Sequence, residues 1–240
     1  MFFRAFLDIL FPPLCHVCKS FIPDAGAMHL CAACKEKIVP VGSPLCTVCG
    51  IPFLTENGMD HVCGSCADAP KPFMSARAAI HFAGPAQELI HRLKYGKKVH
   101  LSRPLGLLAT HHLTSFIVES GAEMAVPVPL HPGRLRKRGF NQALLLAGFL
   151  ASGLNLPLSR DNLRRIRRTE PQIHLPVGDR VKNVRGAFAV KDSRRFADKR
   201  VLLVDDVYTT GSTVSECARV LKHAGAAEVY VATAARAVIG

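Results

Sequence analysis

Residues 201–213 have the sequence VLLVDDVYTTGST. The first four are apolar and lack a helical period, which predicts a strand buried on both faces, as in a parallel sheet. We expect this strand to stop at the two carboxylates, Asp205 and Asp206. The hydroxyl-rich run then opens an amphipathic helix, which Gly225 is placed to end. The apolar side of that helix consists of Val214, Cys217, Val220, Leu221 and Ala224.

The same stretch has the chemistry of a site for a phosphorylated sugar. Ligands of open α/β sheets bind where strands end and helices begin. A turn rich in N–H and hydroxyl groups at a positive helix N-terminus suits a phosphate monoester, and the carboxylates can accept hydrogen bonds from vicinal hydroxyls or hold Mg²⁺ through water. Phosphate and diol together indicate a ribose 5-phosphate. P-loop ATPases also have apolar strands that end in Asp, but the sequence contains neither G-x-x-x-x-G-K-[ST] nor G-x-G-x-x-G.

Four C-x-x-C pairs contain eight of the nine cysteines and predict zinc. The segment PLCHVC at 13–18 recurs as PLCTVC at 44–49. Two copies of a Cys₄ module, each closing a structural Zn²⁺ site, are the simplest account, and the sequence leaves open which pairs share an ion. His16 and His61 lie beside the cysteines, and we expect neither to be a ligand. The predicted ligands are Cys15, Cys18, Cys31, Cys34, Cys46, Cys49, Cys63 and Cys66.

The composition predicts a globular protein with a small module in front of a larger domain. Thiolates that bind zinc need a reducing compartment, so we expect a cytoplasmic protein. The apolar segment 2–11 is too short to span a bilayer and contains Asp8, so it predicts an amphipathic helix and no membrane span. The stiff segment APKP at 69–72 places a boundary between residues 1–70 and 71–240.

The charge is strongly asymmetric. Lys and Arg outnumber Asp and Glu by 31 to 18, and between residues 134 and 200 the count is 17 to 5. A field of this sign suits a polyanion, either a pyrophosphate substrate or nucleic acid. Few aromatic residues lie among these charges, which is poor support for a base-stacking platform.

The remaining periodicities predict an α/β chain. Strands are expected at 76–82, 124–130 and 228–235, the second of them at a sheet edge because of its prolines. Helices are expected at 86–93, at 101–118 and from Asn141 onward. The basic segment 94–98 is interpreted as a solvated helix end, with the alternative that this loop, which contains Gly96, reaches a pyrophosphate. Residues 131–134 are interpreted as a tight turn.

These residues carry a family resemblance. The stretch 201–213 resembles the phosphoribosyl pyrophosphate (PRPP) motif of type I phosphoribosyltransferases. Together with the cysteine-rich front, VPVPLH at 126–131 and RGFNQ at 138–142, the chain resembles the ComF (ComFC) family, named from bacterial competence. The resemblance implies a type I phosphoribosyltransferase fold, a parallel sheet flanked by helices, with a small N-terminal Cys₄ zinc-ribbon domain.

The resemblance also implies a role for each site residue. Asp205 and Asp206 would bind the ribose hydroxyls, directly or through Mg²⁺, and would act in catalysis with Arg180. Residues 130–134 would form the pyrophosphate loop, and a mobile catalytic loop would span Thr169, Gln172 and Arg180. The 5-phosphate would bind to Thr209, Thr210, Gly211, Ser212 and Thr213, and the pyrophosphate to Arg134, Arg138, Arg180 and Arg185.

Two functions stay open from the sequence. The first is an enzyme that transfers a phosphoribosyl group from PRPP and releases pyrophosphate, with two structural zinc ions and Mg²⁺ as cofactors. The second is a non-catalytic accessory protein of competence and DNA uptake that binds single-stranded DNA or a protein of the competence machinery. No residue identifies an acceptor for the transfer.

Overall fold

The computed structural model describes residues 12–23, 26–55, 58–170 and 176–237. The amphipathic helix predicted within residues 2–11 lies outside these ranges. Helices and strands alternate along most of the chain, as the sequence pattern predicts. The helices are α1 (Ala32–Glu36), α2 (Gly64–Asp68), α3 (Gly84–Tyr95), α4 (Ser102–Ser120), α5 (Pro132–Arg138), α6 (Gln142–Gly153), α7 (Val177–Val184) and α8 (Ser212–His223). The strands are β1 (Ser75–His81), β2 (Met124–Pro127), β3 (Leu163–Arg165), β4 (Phe188–Val190), β5 (Arg200–Tyr208) and β6 (Glu228–Arg236).

Four parallel strands form the main sheet in the order β1-β6-β5-β2. Along β5, Val201 and Leu203 face a cluster that includes α8, whereas Leu202 and Val204 face the opposite cluster with α3, α4 and α6. All four side chains are at most 1% exposed. The prediction of a parallel sheet with a central strand buried on both faces is therefore confirmed.

Two local predictions are wrong. Strand β5 does not stop at the carboxylates but continues to Tyr208, because β6 runs beside it and pairs Asp205 with Thr233 and Tyr208 with Arg236. The segment expected as a tight turn at 131–134 instead begins helix α5. There the ring Nδ1 of the N-cap residue His131 accepts a hydrogen bond from the Gly133 amide, and a proline occupies the first helical position.

Strand β2, whose prolines predict the end or edge of a sheet, lies at an edge: among the described strands, β5 is its one neighbour in the main sheet. A separate antiparallel pair, β3 and β4, lies beside α8. Of the predicted catalytic loop, Thr169 is buried and Arg180 lies in α7, while Gln172 falls outside the described residues.

The cysteine-rich front folds as two similar turns, as its internal repeat predicts. The Cys15 amide donates to the Ser20 carbonyl, and the equivalent Cys46 amide donates to the Ile51 carbonyl, both at 2.8 Å. Each turn carries one C-x-x-C pair, and the other pair of each unit lies at the start of a short helix, α1 or α2. The repeat in sequence is therefore a repeat in structure.

The front of the chain packs along the outer edge of β1. The Val41 amide donates to the Ala79 carbonyl at 3.1 Å, and the His81 amide donates to the Val39 carbonyl at 2.8 Å. Further along the same strand, the Ala76 amide donates to Val48. These bonds satisfy backbone groups that an edge strand would otherwise expose.

Helices α4 and α6 pack closely at Gly106, and this contact yields a prediction. A Cβ atom at Gly106 would overlap the Phe149 side chain, whereas one at Gly148 would meet nothing within 4 Å. We expect Gly106→Ala to lower the free energy of unfolding by about 1–3 kcal/mol through overpacking. The matched change Gly148→Ala should raise it by about 0.5–1 kcal/mol, because alanine favours helix.

Thermal denaturation followed by circular dichroism checks this pair of variants. Opposite shifts in Tm are expected. Equal shifts in the two variants would contradict the close packing.

Candidate functional site

A cavity of about 540 Å³ opens at the carboxyl edge of the sheet. Its walls come from the end of β5 and the start of α8, from the segment after β2 with helix α5, and from the end of α3. Strand ends and helix starts therefore converge on one cavity, as expected for a ligand site in an α/β sheet.

The acidic pair forms the floor of this cavity. Asp205 and Asp206 both line it, and Asp206 is 5% exposed. The Asp206 amide donates to Oδ1 of Asp205 at 2.9 Å. From the end of α3, the Lys94 ammonium forms an ion pair with Oδ2 of Asp206. One carboxylate is therefore paired with a cation, and the other is hydrogen-bonded to the backbone.

These surroundings shift the pKa values of the two carboxyl groups in opposite directions. Burial and the charge of Asp206 raise the pKa of Asp205 to about 8. Burial also opposes ionisation of Asp206, but the Lys94 ammonium outweighs that effect and lowers the pKa of this carboxyl. At neutral pH the pair therefore holds a proton on Asp205 and a negative charge on Asp206.

The hydroxyl-rich turn forms the next wall. Its Gly211 has a φ of +77° and is the N-cap residue of α8, and a Cβ atom there would overlap the Tyr208 hydroxyl. Within the described part of the chain, the amides of Thr209, Thr210 and Gly211 donate no hydrogen bond. The hydroxyls of Thr210 and Ser212 lie 2.9 Å apart. Unpaired amides beside hydroxyl groups at a helix N-terminus suit the binding of an anion.

Much of the remaining lining is cationic. Burial and Arg138 lower the pKa of Arg134, and burial and Arg134 lower the pKa of Arg165. Arginines this close repel one another, and an anion between them would relieve the repulsion. The cations that line the cavity are Lys94, Lys97, Arg134, Lys137, Arg138, Arg165 and Arg180.

The structure brings most of the predicted site residues together. Both aspartates line the cavity, as do Thr209, Gly211, Ser212 and Thr213 of the turn and Arg134, Arg138 and Arg180 of the cationic set. Thr210 contacts the cavity wall through Ser212. Arg185 lies outside the lining residues, with its carbonyl bonded to Arg167 at 2.7 Å. The roles assigned to these residues stay predictions.

Four of the cations that line the cavity are absent from the predicted site residues: Lys94, Lys97, Lys137 and Arg165. Lys94 belongs to the segment interpreted as solvated, but it is the ion-pair partner of Asp206, so that interpretation is wrong for this residue. Arg165 was assigned no role, although it is 8% exposed and its guanidinium donates to the Thr169 hydroxyl. The available signal was the alternation in β3, which places Arg165 on the same side of the strand as the buried Leu163.

The eight predicted cysteine ligands form two clusters, which answers how the pairs combine. Cys15, Cys18, Cys31 and Cys34 form one, and Cys46, Cys49, Cys63 and Cys66 form the other. We call these the first and the second cysteine cluster. Within each, all sulfurs lie within 4.8 Å of one another.

The clusters fit zinc in distance and in chemistry. Sulfurs at about 2.3 Å from a tetrahedral zinc ion are separated by roughly 3.8 Å. The Cys18–Cys31 and Cys49–Cys63 sulfur distances are 3.6 and 3.8 Å. Backbone amides of Cys49 and Cys63 donate to the Cys46 sulfur, which suits a thiolate. With four thiolates each, both would be closed structural sites.

Among the helices in the described ranges, none combines the length and the apolar character that crossing a bilayer requires.

Comparison with known proteins agrees with this architecture. Residues 6–67 match the double zinc ribbon domain, and residues 141–238 match the phosphoribosyl transferase domain. The chain is 32% identical to competence protein F of Haemophilus influenzae over 87% of its own length and 90% of that protein. It is 32% identical to the DNA utilization protein YhgH of Escherichia coli over 92% and 95%, and 24% identical to competence protein ComFC of Bacillus subtilis over 82% and 80%. The chain therefore belongs to the ComF family, with a double zinc ribbon in front of an α/β domain of the phosphoribosyltransferase fold.

Proposed function

We propose that this protein binds PRPP in the cavity and transfers its phosphoribosyl group with release of pyrophosphate. The observation that supports the proposal is the combination of groups in one cavity. An acidic pair, a turn with unpaired amides and a cluster of arginines line the same cavity. PRPP has the matching groups, because a diol and a 5-phosphate lie on one side of its reactive carbon and a pyrophosphate on the other.

The phosphoribosyl half of the ligand would occupy the acidic floor and the turn. Thr209, Gly211 and Ser212 line the cavity where α8 begins, so their N–H and hydroxyl groups would bind the 5-phosphate together with the positive helix end. Asp206, ionised at neutral pH, would accept hydrogen bonds from the ribose hydroxyls, and the protonated Asp205 could donate one.

The pyrophosphate half would lie against the arginines. Guanidinium groups bind phosphate oxygens in pairs, and Arg134, Arg138 and Arg165 converge from α5 and β3. As the bond to the ribose breaks, negative charge grows on the leaving pyrophosphate, and cations fixed in place stabilise that charge. Arg180 of α7 would add to this wall, as the predicted catalytic loop requires.

The residues present also fit a magnesium ion. Carboxylate oxygens are its usual protein ligands. Oδ2 of the buried Asp206 is paired with the Lys94 ammonium, so this oxygen already lies beside a positive charge. Asp205 and Asp206 would hold the ion, which would neutralise phosphate charge when bound. The two cysteine clusters would hold structural zinc, and a reducing, cytoplasmic location is part of the proposal.

A second function is supported by a different observation. Cations outside the cavity, among them Arg167, Arg168, Arg194 and Arg195, are exposed. Two of the relatives are named competence proteins and another a DNA utilization protein. An accessory protein that binds single-stranded DNA, or a protein of the competence machinery, would use this surface and need no transfer.

Pyrophosphate release from PRPP, measured over a panel of amine and base acceptors, separates the two functions. Release above the acceptor-free rate supports the enzyme. If no acceptor raises it, and single-stranded DNA binds with an affinity that falls steeply with salt, the accessory function is favoured.

The acidic pair provides the direct test of PRPP binding. We expect Asp205→Asn with Asp206→Asn to weaken PRPP binding at least 100-fold in calorimetry, because the variant loses the ionised acceptor for the ribose hydroxyls. The fold should persist, since the amides keep the size of the carboxyls, and the relief of the buried Asp205 carboxyl offsets the loss of the ion pair between Asp206 and Lys94.

The matched control is Asp161→Asn, which removes one negative charge at a residue outside the lining of the cavity, as the double variant does when Asp205 is protonated. Its PRPP affinity should equal that of the wild type. Unchanged affinity in the Asp205/Asp206 variant would refute the site.

The raised pKa of Asp205 yields a prediction of pH-dependent stability in the absence of ligand. The folded-state pKa of Asp205 is raised from 3.8 to about 8. The folded protein therefore holds this proton at pH values where the unfolded chain has lost it, and the free energy of unfolding falls as the pH rises from 3.8 to about 8. Asparagine has no such loss. The Tm of Asp205→Asn should therefore exceed that of the wild type by a margin that widens between pH 5 and pH 8 by about 2 °C or more and is constant above it. A margin that does not vary with pH would show that Asp205 is ionised in the folded protein.

A further inference from the structure

Arg236, the last residue of β6, is a buried cation that the proposed reaction does not use. Its side chain is 4% exposed and contacts the second cysteine cluster. Nη1 donates to the Cys49 carbonyl at 2.6 Å, and Nη2 lies 3.6 Å from the Cys49 sulfur. Arg236 thus contacts a predicted zinc ligand that is 187 positions away in the chain.

The charge of Arg236 is compensated by that cluster. Among the described residues, no carboxylate lies within ion-pair distance of its guanidinium, and its Nε is buried without a partner. Zinc held by four thiolates carries a net negative charge. A buried cation that touches one of those sulfurs is stabilised while the thiolate cluster persists, and it is left uncompensated when the cluster is lost.

The guanidinium of Arg236 also contacts the ring of Tyr208, the residue directly before the hydroxyl-rich turn that opens α8. Arg236 lies over the Tyr208 ring, 4.3 Å from its centroid, and the two residues are paired in the sheet. The Tyr208 hydroxyl in turn occupies the space where Gly211 would carry a Cβ atom. Cys49, Arg236, Tyr208 and Gly211 therefore form a continuous chain of contacts from the second cysteine cluster to the phosphate-binding turn.

We propose that Arg236 is a positioning residue that couples the zinc-bound state of the second cysteine cluster to the shape of the phosphate-binding turn. Zinc thiolates hold the guanidinium, the guanidinium holds the Tyr208 ring, and the ring holds the backbone at Gly211. Loss of the metal would then loosen the turn although no residue that lines the cavity is substituted. The link to PRPP affinity rests on the proposed function, whereas the link to the geometry of the turn does not.

Amide hydrogen exchange at residues 215–217 tests the coupling in the ligand-free chain. The Ser215 amide donates to the Gly211 carbonyl at 2.8 Å, so its protection reports on the turn. We expect zinc removal to raise exchange at 215–217 at least tenfold in the wild type, with the central strand 201–204 as an internal reference. In Arg236→Met, exchange should already be raised with zinc bound, and zinc removal should change it less than twofold.

Arg77→Met is the matched control. Arg77 also donates to a carbonyl of the second cysteine-rich turn, that of Thr47 at 3.1 Å, but it stacks on Phe116 and not on Tyr208. This variant should keep wild-type exchange at 215–217 with zinc bound and should respond fully to zinc removal. Zinc content per chain, measured by atomic emission, confirms the loading of each sample.

Two outcomes would overturn the proposal. One is wild-type protection at 215–217 in zinc-loaded Arg236→Met, and the other is an equal loss of protection in Arg77→Met. If Arg236→Met does not fold, Tyr208→Leu breaks the same chain of contacts at its next member and should abolish the response to zinc removal; a full response would again overturn the coupling.

Calorimetry with PRPP adds the functional arm. Arg236→Met should bind PRPP about tenfold more weakly than the wild type, and Arg77→Met should bind it equally well. A wild type that binds no PRPP would contradict the proposed function, while the exchange experiment would still decide the coupling.

Discussion

Two adjacent carboxyl groups at the end of a strand that is buried on both faces are the constraint on which the rest of the structure depends. Ionising both Asp205 and Asp206 there is unfavourable, because burial removes water and the like charges are neighbours. The protein resolves this with one cation, Lys94, and one retained proton. Elsewhere on the lining of the cavity, arginines from other elements repel one another. A ligand with hydroxyl donors and anionic groups, as we propose for PRPP, would relieve both costs.

The structural elements that the sequence predicts correctly are those whose signal lies in contiguous residues. The apolar run of β5, the hydroxyl-rich turn and the helix after it follow one another, and each has a local physical signature. The four cysteine pairs are equally local, and their recurrence predicts two metal sites before any contact is known. Even so, the end of β5 is misplaced, because its length is decided by the neighbouring strand β6 and not by its own composition.

The parts that the sequence does not predict depend on partners far apart in the chain. Lys94 resembles an ordinary basic residue at a helix end, and only the packing of α3 against the strand ends places it on Asp206. Arg165 is one of several arginines in its segment, and the β3–β4 pairing selects it for burial. Arg236 resembles a terminal surface cation, yet the cysteine cluster that it contacts belongs to the other end of the sequence. Spacing alone carries no information about such contacts.

The edges of the main sheet have a consequence for assembly. On one side, residues 39–41 and Val48 bond to β1; on the other, the Ala125 amide and carbonyl of β2 bond to Pro157 and Ser159. An open strand edge recruits strands from other molecules and is a common route to aggregation. Here the described part of the chain covers both edges with its own segments, and the metal-binding front supplies one of these covers. Shortening the protein to its larger domain would therefore expose the backbone groups of β1. We expect such a shortened chain to associate edge to edge more readily than the full chain.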